Sequence, residues 1–70
     1  MGATRARRTA IIVSRIDEFF GKEPKGRINR QKFIANFCLD TDASKRTAVE
    51  ILMILEMAKR IKQSREEIWI

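Results

Sequence analysis

The chain has 70 residues, which suits one small domain, and 44% of them are hydrophobic, which is enough for a core and argues against disorder. Its 15 Lys and Arg against 9 Asp and Glu give a net charge of +6, which favours a polyanionic partner over mere solubility. The absence of His excludes Ser-His and Cys-His catalytic pairs and His-containing zinc sites, and the single Cys38 excludes a disulfide within the chain. We therefore expect no enzyme, no metal, no other cofactor and no small-molecule substrate.

Membrane attachment is not expected either. No apolar run reaches the roughly 18 residues that a transmembrane helix needs, and the Arg-rich start lacks the apolar region of a signal peptide. Together with the single free thiol, these features predict an intracellular, cytoplasmic protein.

The first predicted helix runs from about Arg7 to Phe20. Gly21 is predicted to end it in the left-handed conformation, and residues 22–26 to form a turn. Apolar and small side chains recur at spacings of three and four, which places them on one helix face: Thr9, Ile12, Val13, Ile16, Phe19 and Phe20.

Residues 1–8 are predicted to form a basic arm ahead of a domain that spans residues 9–70. Arg5, Arg7 and Arg8 would oppose the helix dipole, at a cost of about 0.3–1 kcal/mol each. A flexible arm that orders on a phosphate backbone or in a minor groove explains them. The alternative is a frayed, solvated end.

The second predicted helix follows Asn29, a preferred N-cap residue. Ile28 and Phe33 have the spacing of a hydrophobic staple, and Cys38 continues the apolar stripe as an expected buried small hydrophobe. Residues 39–43 contain Asp and Thr side chains that favour a turn, and the two acids are expected to serve the turn and not a metal.

The third predicted helix starts at the N-cap Ser44 and runs to about Arg60, with Ala58 closing its core face. Residues 61–63 and 67–70 are predicted to form a hairpin, and residues 26–28 to add a third strand. The predicted core comprises Ile16, Phe20, Phe33, Phe37, Ile51, Leu52, Leu55 and Ile68.

Five short segments are together similar to a known family: NRQKFIA at 29–35, LDTD at 39–42, SKRTA at 44–48, AKRI at 58–61 and EEIWI at 66–70. They resemble small winged helix-turn-helix DNA-binding proteins of archaea and of archaeal viruses and plasmids. The resemblance covers the chain from about Ile12 onward. It implies a mostly α fold with a small β-hairpin, in the order helix-strand-helix-helix-strand-strand. It further implies a duplex-DNA-binding transcriptional regulator whose third helix enters the major groove.

The resemblance places the start of the third helix, including Val49, nearest the bases and the hairpin beside the adjacent backbone or minor groove. Independently, the helix N-terminus at Ser44 is a natural phosphate site, Arg46 can contact guanine through two hydrogen bonds, and Lys45 suits a phosphate. The alternative is that both cations are simply solvated. The candidate DNA-binding residues are Arg5, Arg7, Arg8, Arg30, Ser44, Lys45, Arg46, Lys62 and Arg65.

Val49, Met53 and Met57 form a predicted apolar stripe on the third helix, opposite its core face and ringed by charge. Such a stripe is typical of an interface, in a homodimer or with a larger protein partner, unless the first helix covers it. The alternative function is therefore a small accessory subunit that uses the same fold for protein contact in a replication, transcription or ribosomal assembly. RNA binding is a third possibility.

Overall fold

The structure, a computed structural model, describes residues 4–70. The predicted mostly helical class with a small β-sheet is confirmed, as is the order of the elements. Over the described residues, no helix combines the length and the apolar character needed to cross a membrane. The elements are α1 (Arg5–Lys22), β1 (Ile28–Asn29), α2 (Arg30–Thr41), α3 (Lys45–Met57), β2 (Lys62–Gln63) and β3 (Glu67–Trp69).

The start of α1 lies two residues earlier than predicted. The side chain of Thr4 accepts a hydrogen bond from the Arg7 backbone N–H (3.2 Å), and this cap begins the helix at Arg5. The first turn of α1 contains no acid. Arg5, Arg7 and Arg8 are therefore helical, and the predicted arm boundary after residue 8 falls inside α1. The first three residues of the predicted arm lie outside the described residues.

The end of α1 also differs from the prediction. The helix continues through Gly21 to Lys22, and Gly21 does not have a positive φ. The predicted stop at Gly21 is wrong because the Glu23 N–H still finds the Phe19 carbonyl oxygen (2.9 Å) and adds one more helical hydrogen bond. The following turn is closed by the Gly26 N–H, which donates to the Glu23 carbonyl oxygen (2.9 Å).

The N-caps predicted for α2 and α3 are both confirmed. Asn29 Oδ1 accepts from the Lys32 backbone N–H (2.9 Å), and Ser44 Oγ accepts from the Thr47 backbone N–H (3.2 Å). Between these helices, Asp42 closes α2 with a φ of 56°, in the left-handed region that Asp tolerates better than most residues. Residues 42–44 form the short connection between α2 and α3, and the two helices pack against each other.

The end of α3 comes earlier than predicted, because Lys59 adopts a φ of 62°. The Lys59 N–H donates to the Glu56 carbonyl oxygen (2.9 Å), and the Arg60 N–H donates to that of Leu55 (3.0 Å). These are the two bonds of a Schellman motif, a frequent helix ending. The motif redirects the chain so that Ile61 enters the core.

The core joins all three helices to the sheet. Every predicted core residue except Phe33 is buried; Phe33 and its staple partner Ile28 pack half-buried at the edge. Cys38 is likewise half-buried, not buried as predicted, and Ala58 is exposed because α3 has already ended. The buried residues are Ile12, Ile16, Phe20, Ile34, Phe37, Ala43, Ala48, Ile51, Leu52, Leu55, Ile61 and Ile68.

The sheet has the strand order β1-β3-β2, and both pairings are antiparallel. Ile68 of the central strand pairs with Ile28 of β1 and with Gln63 of β2. The predicted hairpin is confirmed, while the third strand covers residues 28–29 and not 26–28. Ser64 closes the hairpin turn: its N–H donates to the Glu67 carbonyl oxygen (2.9 Å), and its Oγ accepts from the Glu67 N–H (3.2 Å). Arg65 lies in this turn and is exposed to solvent.

Candidate nucleic-acid interface

A groove of about 650 Å³ lies between α2, the first turn of α3 and the β2–β3 turn. It brings together three candidate DNA-binding residues, Arg30, Lys45 and Arg65, each from a different element. None of the residues that line the groove is acidic. The rest of the lining is Gln31, Ile34, Ala35 and Cys38, so the groove combines three cations with a partly apolar lining.

Arg30 is tied to the hairpin by two hydrogen bonds. Its backbone N–H donates to the Glu66 carbonyl oxygen (2.9 Å), and its Nε donates to Gln63 Oε1 (2.9 Å). Gln63 in turn donates through Nε2 to Glu56 Oε1 on α3 (3.1 Å). Nε makes the only side-chain hydrogen bond of Arg30 within residues 4–70, so its two terminal guanidinium nitrogens remain available as donors. The half-buried Arg30 is therefore held by a neutral side chain and forms no salt bridge with an acid among the described residues.

The positions of Lys45 and Arg65 are fixed by the backbone structure around them and not by ion pairs of their side chains. Lys45 is the first residue of α3, directly after its N-cap, and Arg65 lies in the turn that Ser64 closes. Both are exposed, and neither forms a salt bridge with any residue that the structure describes. The Ser44 hydroxyl is engaged with Thr47 and accepts from its backbone N–H, so what this helix start offers an anion is the backbone N–H groups of Lys45 and Arg46.

Arg46 is placed differently from its neighbour Lys45 and does not line the groove. Its Nε donates to Glu50 Oε1 (3.1 Å), while Nη2 of Arg5 donates to Glu50 Oε2 (2.8 Å). The hydrogen bond from Arg5, and then that from Arg46, lowers the pKa of Glu50 below its usual value of 4.5. Glu50 was not among the residues predicted from sequence, although its position four residues after Arg46 is the spacing of a helical ion pair.

The other candidate cations do not line the groove. Arg7 is exposed and Arg8 half-buried on α1, and Arg8 Nε is buried with no hydrogen-bond partner among the described residues. Lys62 is exposed on β2, opposite Trp69 of β3. The predicted set is therefore divided into a groove group and cations that lie elsewhere on α1, α3 and β2.

A cation that sequence reasoning did not single out braces the sheet. The guanidinium of Arg27 lies 4.6 Å from the centroid of the Trp69 ring and 3.2 Å (Nη1) from Glu67 Oε1. The attraction between a guanidinium and an aromatic face accounts for this placement. Arg27 consequently covers one face of the ring of Trp69, the single Trp of the chain.

The apolar stripe on α3 is partly as predicted. Met53 and Met57 are 51% and 79% exposed, and Ile54 beside them is 52% exposed. Val49 is not exposed as predicted; it is half-buried and packs against the core. The predicted alternative, that α1 covers the stripe, is wrong for both Met residues. The exposed surface is therefore Met53, Ile54 and Met57, called the Met surface below.

Within residues 4–70, no group of three or more His, Cys, Asp and Glu side chains lies close enough to hold a metal ion. Comparison with protein-family models, with curated proteins and with solved structures finds no match to this chain.

Proposed function

We propose that this protein binds duplex DNA through the groove and acts as a transcriptional regulator. The observation that carries the proposal is the convergence of Arg30, Lys45 and Arg65, from three separate elements, on one groove whose lining contains no acid. Cations that lack acidic partners are the groups that release counterions when they neutralise phosphates. The net charge of +6 adds a long-range attraction for the same ligand.

The proposed docking follows the winged helix-turn-helix mode. The order of elements, with two helices followed by a hairpin, is the order expected for that fold. In this mode the first turn of α3 faces base edges in the major groove, and the hairpin turn follows the adjacent backbone. Lys45 and Arg65 then contact phosphates on either side of the DNA major groove, and Arg46, beside Lys45, reaches bases.

A duplex is favoured over a single strand because the chain offers little for base stacking. Single-strand binders use exposed aromatic rings as stacking platforms. The one Trp here is half-buried, with Arg27 against its ring. Arg7 and Arg8 on α1 are proposed as accessory phosphate contacts.

The test is duplex affinity across a salt series for Lys45→Ala and Arg65→Ala. Each variant should weaken binding to all duplexes alike and reduce the slope of log affinity against log salt by about one unit. Lys25→Ala is the matched control, because Lys25 is exposed, lies in the turn before β1 and does not line the groove. The parent failing to bind duplex DNA at low salt, or the control weakening binding as much as the groove variants, would contradict the proposal.

The Met surface supports a second candidate function, that of an accessory subunit in a larger assembly. Three large apolar side chains are about half exposed or more on one helix of so small a domain. Adaptable Met side chains are common on protein-binding surfaces. A homodimer or a larger partner would bury them, and sedimentation of the pure protein with and without duplex DNA distinguishes this function from the first.

A further inference from the structure

Glu50 lies between two arginines, one near the start of the sequence on α1 and one four residues before Glu50 on α3. Its two carboxylate oxygens each accept one hydrogen bond, Oε2 from Arg5 on α1 and Oε1 from Arg46 on α3. Both contacts are charge-assisted, which makes them stronger and more directional than neutral hydrogen bonds. Glu50 is half-buried at this junction, whereas the side chain of Arg46 is 88% exposed.

The contact leaves the recognition end of Arg46 available. Arg46 donates to Glu50 through Nε, and neither terminal nitrogen has a hydrogen-bond partner in the described part of the chain. A guanidinium can recognise guanine by donating two parallel hydrogen bonds to O6 and N7. With Nε bonded to Glu50, the two terminal nitrogens still form the fork that this contact requires.

We propose that Glu50 is a positioning residue that orders Arg46 for guanine recognition, with Arg5 bracing Glu50 from α1. This inference rests on the proposed duplex-DNA binding. An arginine that is ordered before binding loses less side-chain freedom when it meets its base. The carboxylate also repels phosphates, so Glu50 lowers affinity for every duplex while it raises the preference for the correct one.

The experiment first selects a preferred duplex from a pool of randomised duplexes with the parent protein. Affinities for that duplex and for a scrambled one are then measured for the variants, and their quotient is the specificity ratio. Arg46→Ala should reduce the ratio on the order of 5- to 150-fold, the range expected for loss of one two-bond guanine contact. Glu50→Ala should reduce it about two- to tenfold, the effect of releasing one ordered long side chain.

Two further results separate positioning from a general charge effect. Glu50→Ala should increase affinity for the scrambled duplex, whereas Glu50→Gln, which keeps an oxygen acceptor for Arg46 Nε, should gain affinity and retain more of the ratio. In the Arg46→Ala background, Glu50→Ala should not change the ratio further. Glu18→Ala is the control, because it removes an exposed acid from α1 that lies outside this contact.

The inference is overturned if Glu50→Ala strengthens both duplexes equally, or if it changes the ratio as much without Arg46 as with it. Salt-dependent binding with no preferred duplex overturns the positioning role and base recognition by Arg46, but leaves the proposed duplex-DNA binding through the groove standing. No duplex binding by the parent overturns both. If Glu50→Ala fails to fold, Arg5→Ala supplies the test: it removes the brace and one cation, so it should weaken binding to both duplexes and also lower the ratio.

Discussion

The residue that ends α3 offers a test in which glycine stabilises the protein. Lys59 has a φ of 62° in a Schellman motif, where glycine is the usual residue. Its side chain is exposed. We compare Lys59→Gly with Lys59→Ala, because both remove the same ammonium group and differ only in the Cβ atom.

The expected difference follows from two opposing terms. A residue with a Cβ atom held in the left-handed region costs about 1–2 kcal/mol, and glycine removes this cost. Glycine also gains freedom in the unfolded chain, which lowers stability by roughly 0.5–1 kcal/mol relative to alanine. The Lys59→Gly variant should therefore be more stable than Lys59→Ala by about 0.5–1 kcal/mol, or about 2–8 °C in Tm for a domain of this size.

Thermal and urea unfolding followed by circular dichroism measure this difference. Lys22 supplies the matched site: it is the last residue of α1 and lacks a positive φ, so Lys22→Ala should be more stable than Lys22→Gly. Finding alanine equal or superior to glycine at Lys59 would refute the left-handed ending of α3.

Three further outcomes are expected. Leu52→Ala removes a fully buried side chain and should cost about 2–5 kcal/mol in urea unfolding; a variant as stable as the parent would place Leu52 outside the core. Met53→Glu alters an exposed side chain, so it should shift the sedimenting mass toward monomer without lowering Tm, and an unchanged mass would exclude the Met surface from self-association. Because the two arginines lower the folded-state pKa of Glu50, its ionised form stabilises the protein above 4.5, and this contribution is lost as the pH falls through the lowered value. The stability advantage of the parent over Glu50→Gln should accordingly be present near neutral pH, shrink as the pH falls below 4.5 and vanish below the lowered pKa; an advantage that does not shrink in acid would contradict the pairing.

Features decided by a few neighbouring residues could be predicted from the sequence. The caps at Asn29 and Ser44 depend on one side chain that reaches a backbone N–H three residues later. The helix ends were less predictable, because they depend on which hydrogen bonds the rest of the fold allows. Gly21 continues a helix that it was predicted to end, whereas Lys59 takes a conformation usually left to glycine.

The candidate site likewise contains local features that the sequence could predict and long-range contacts that it could not. Sequence and family resemblance supplied a set of cations, but only the packing of α2, α3 and the hairpin selects Arg30, Lys45 and Arg65 as neighbours. The pair of Arg46 with Glu50 is local and could have been read from its four-residue spacing. The contact of Arg5 with the same carboxylate joins distant parts of the chain, and no periodicity indicates it.

The strand order has a consequence for how the cationic groove is assembled. β3 is the central strand, so β1 and β2 pair only with it and not with each other. Residues up to β2 contain all three helices and both outer strands, but without β3 neither outer strand has a partner in the sheet. Ile68 pairs with both outer strands and is fully buried, so the docking of β3 couples the two ladders to the core. The same step closes the turn that carries Arg65, so the groove gains its third cation only when the sheet forms.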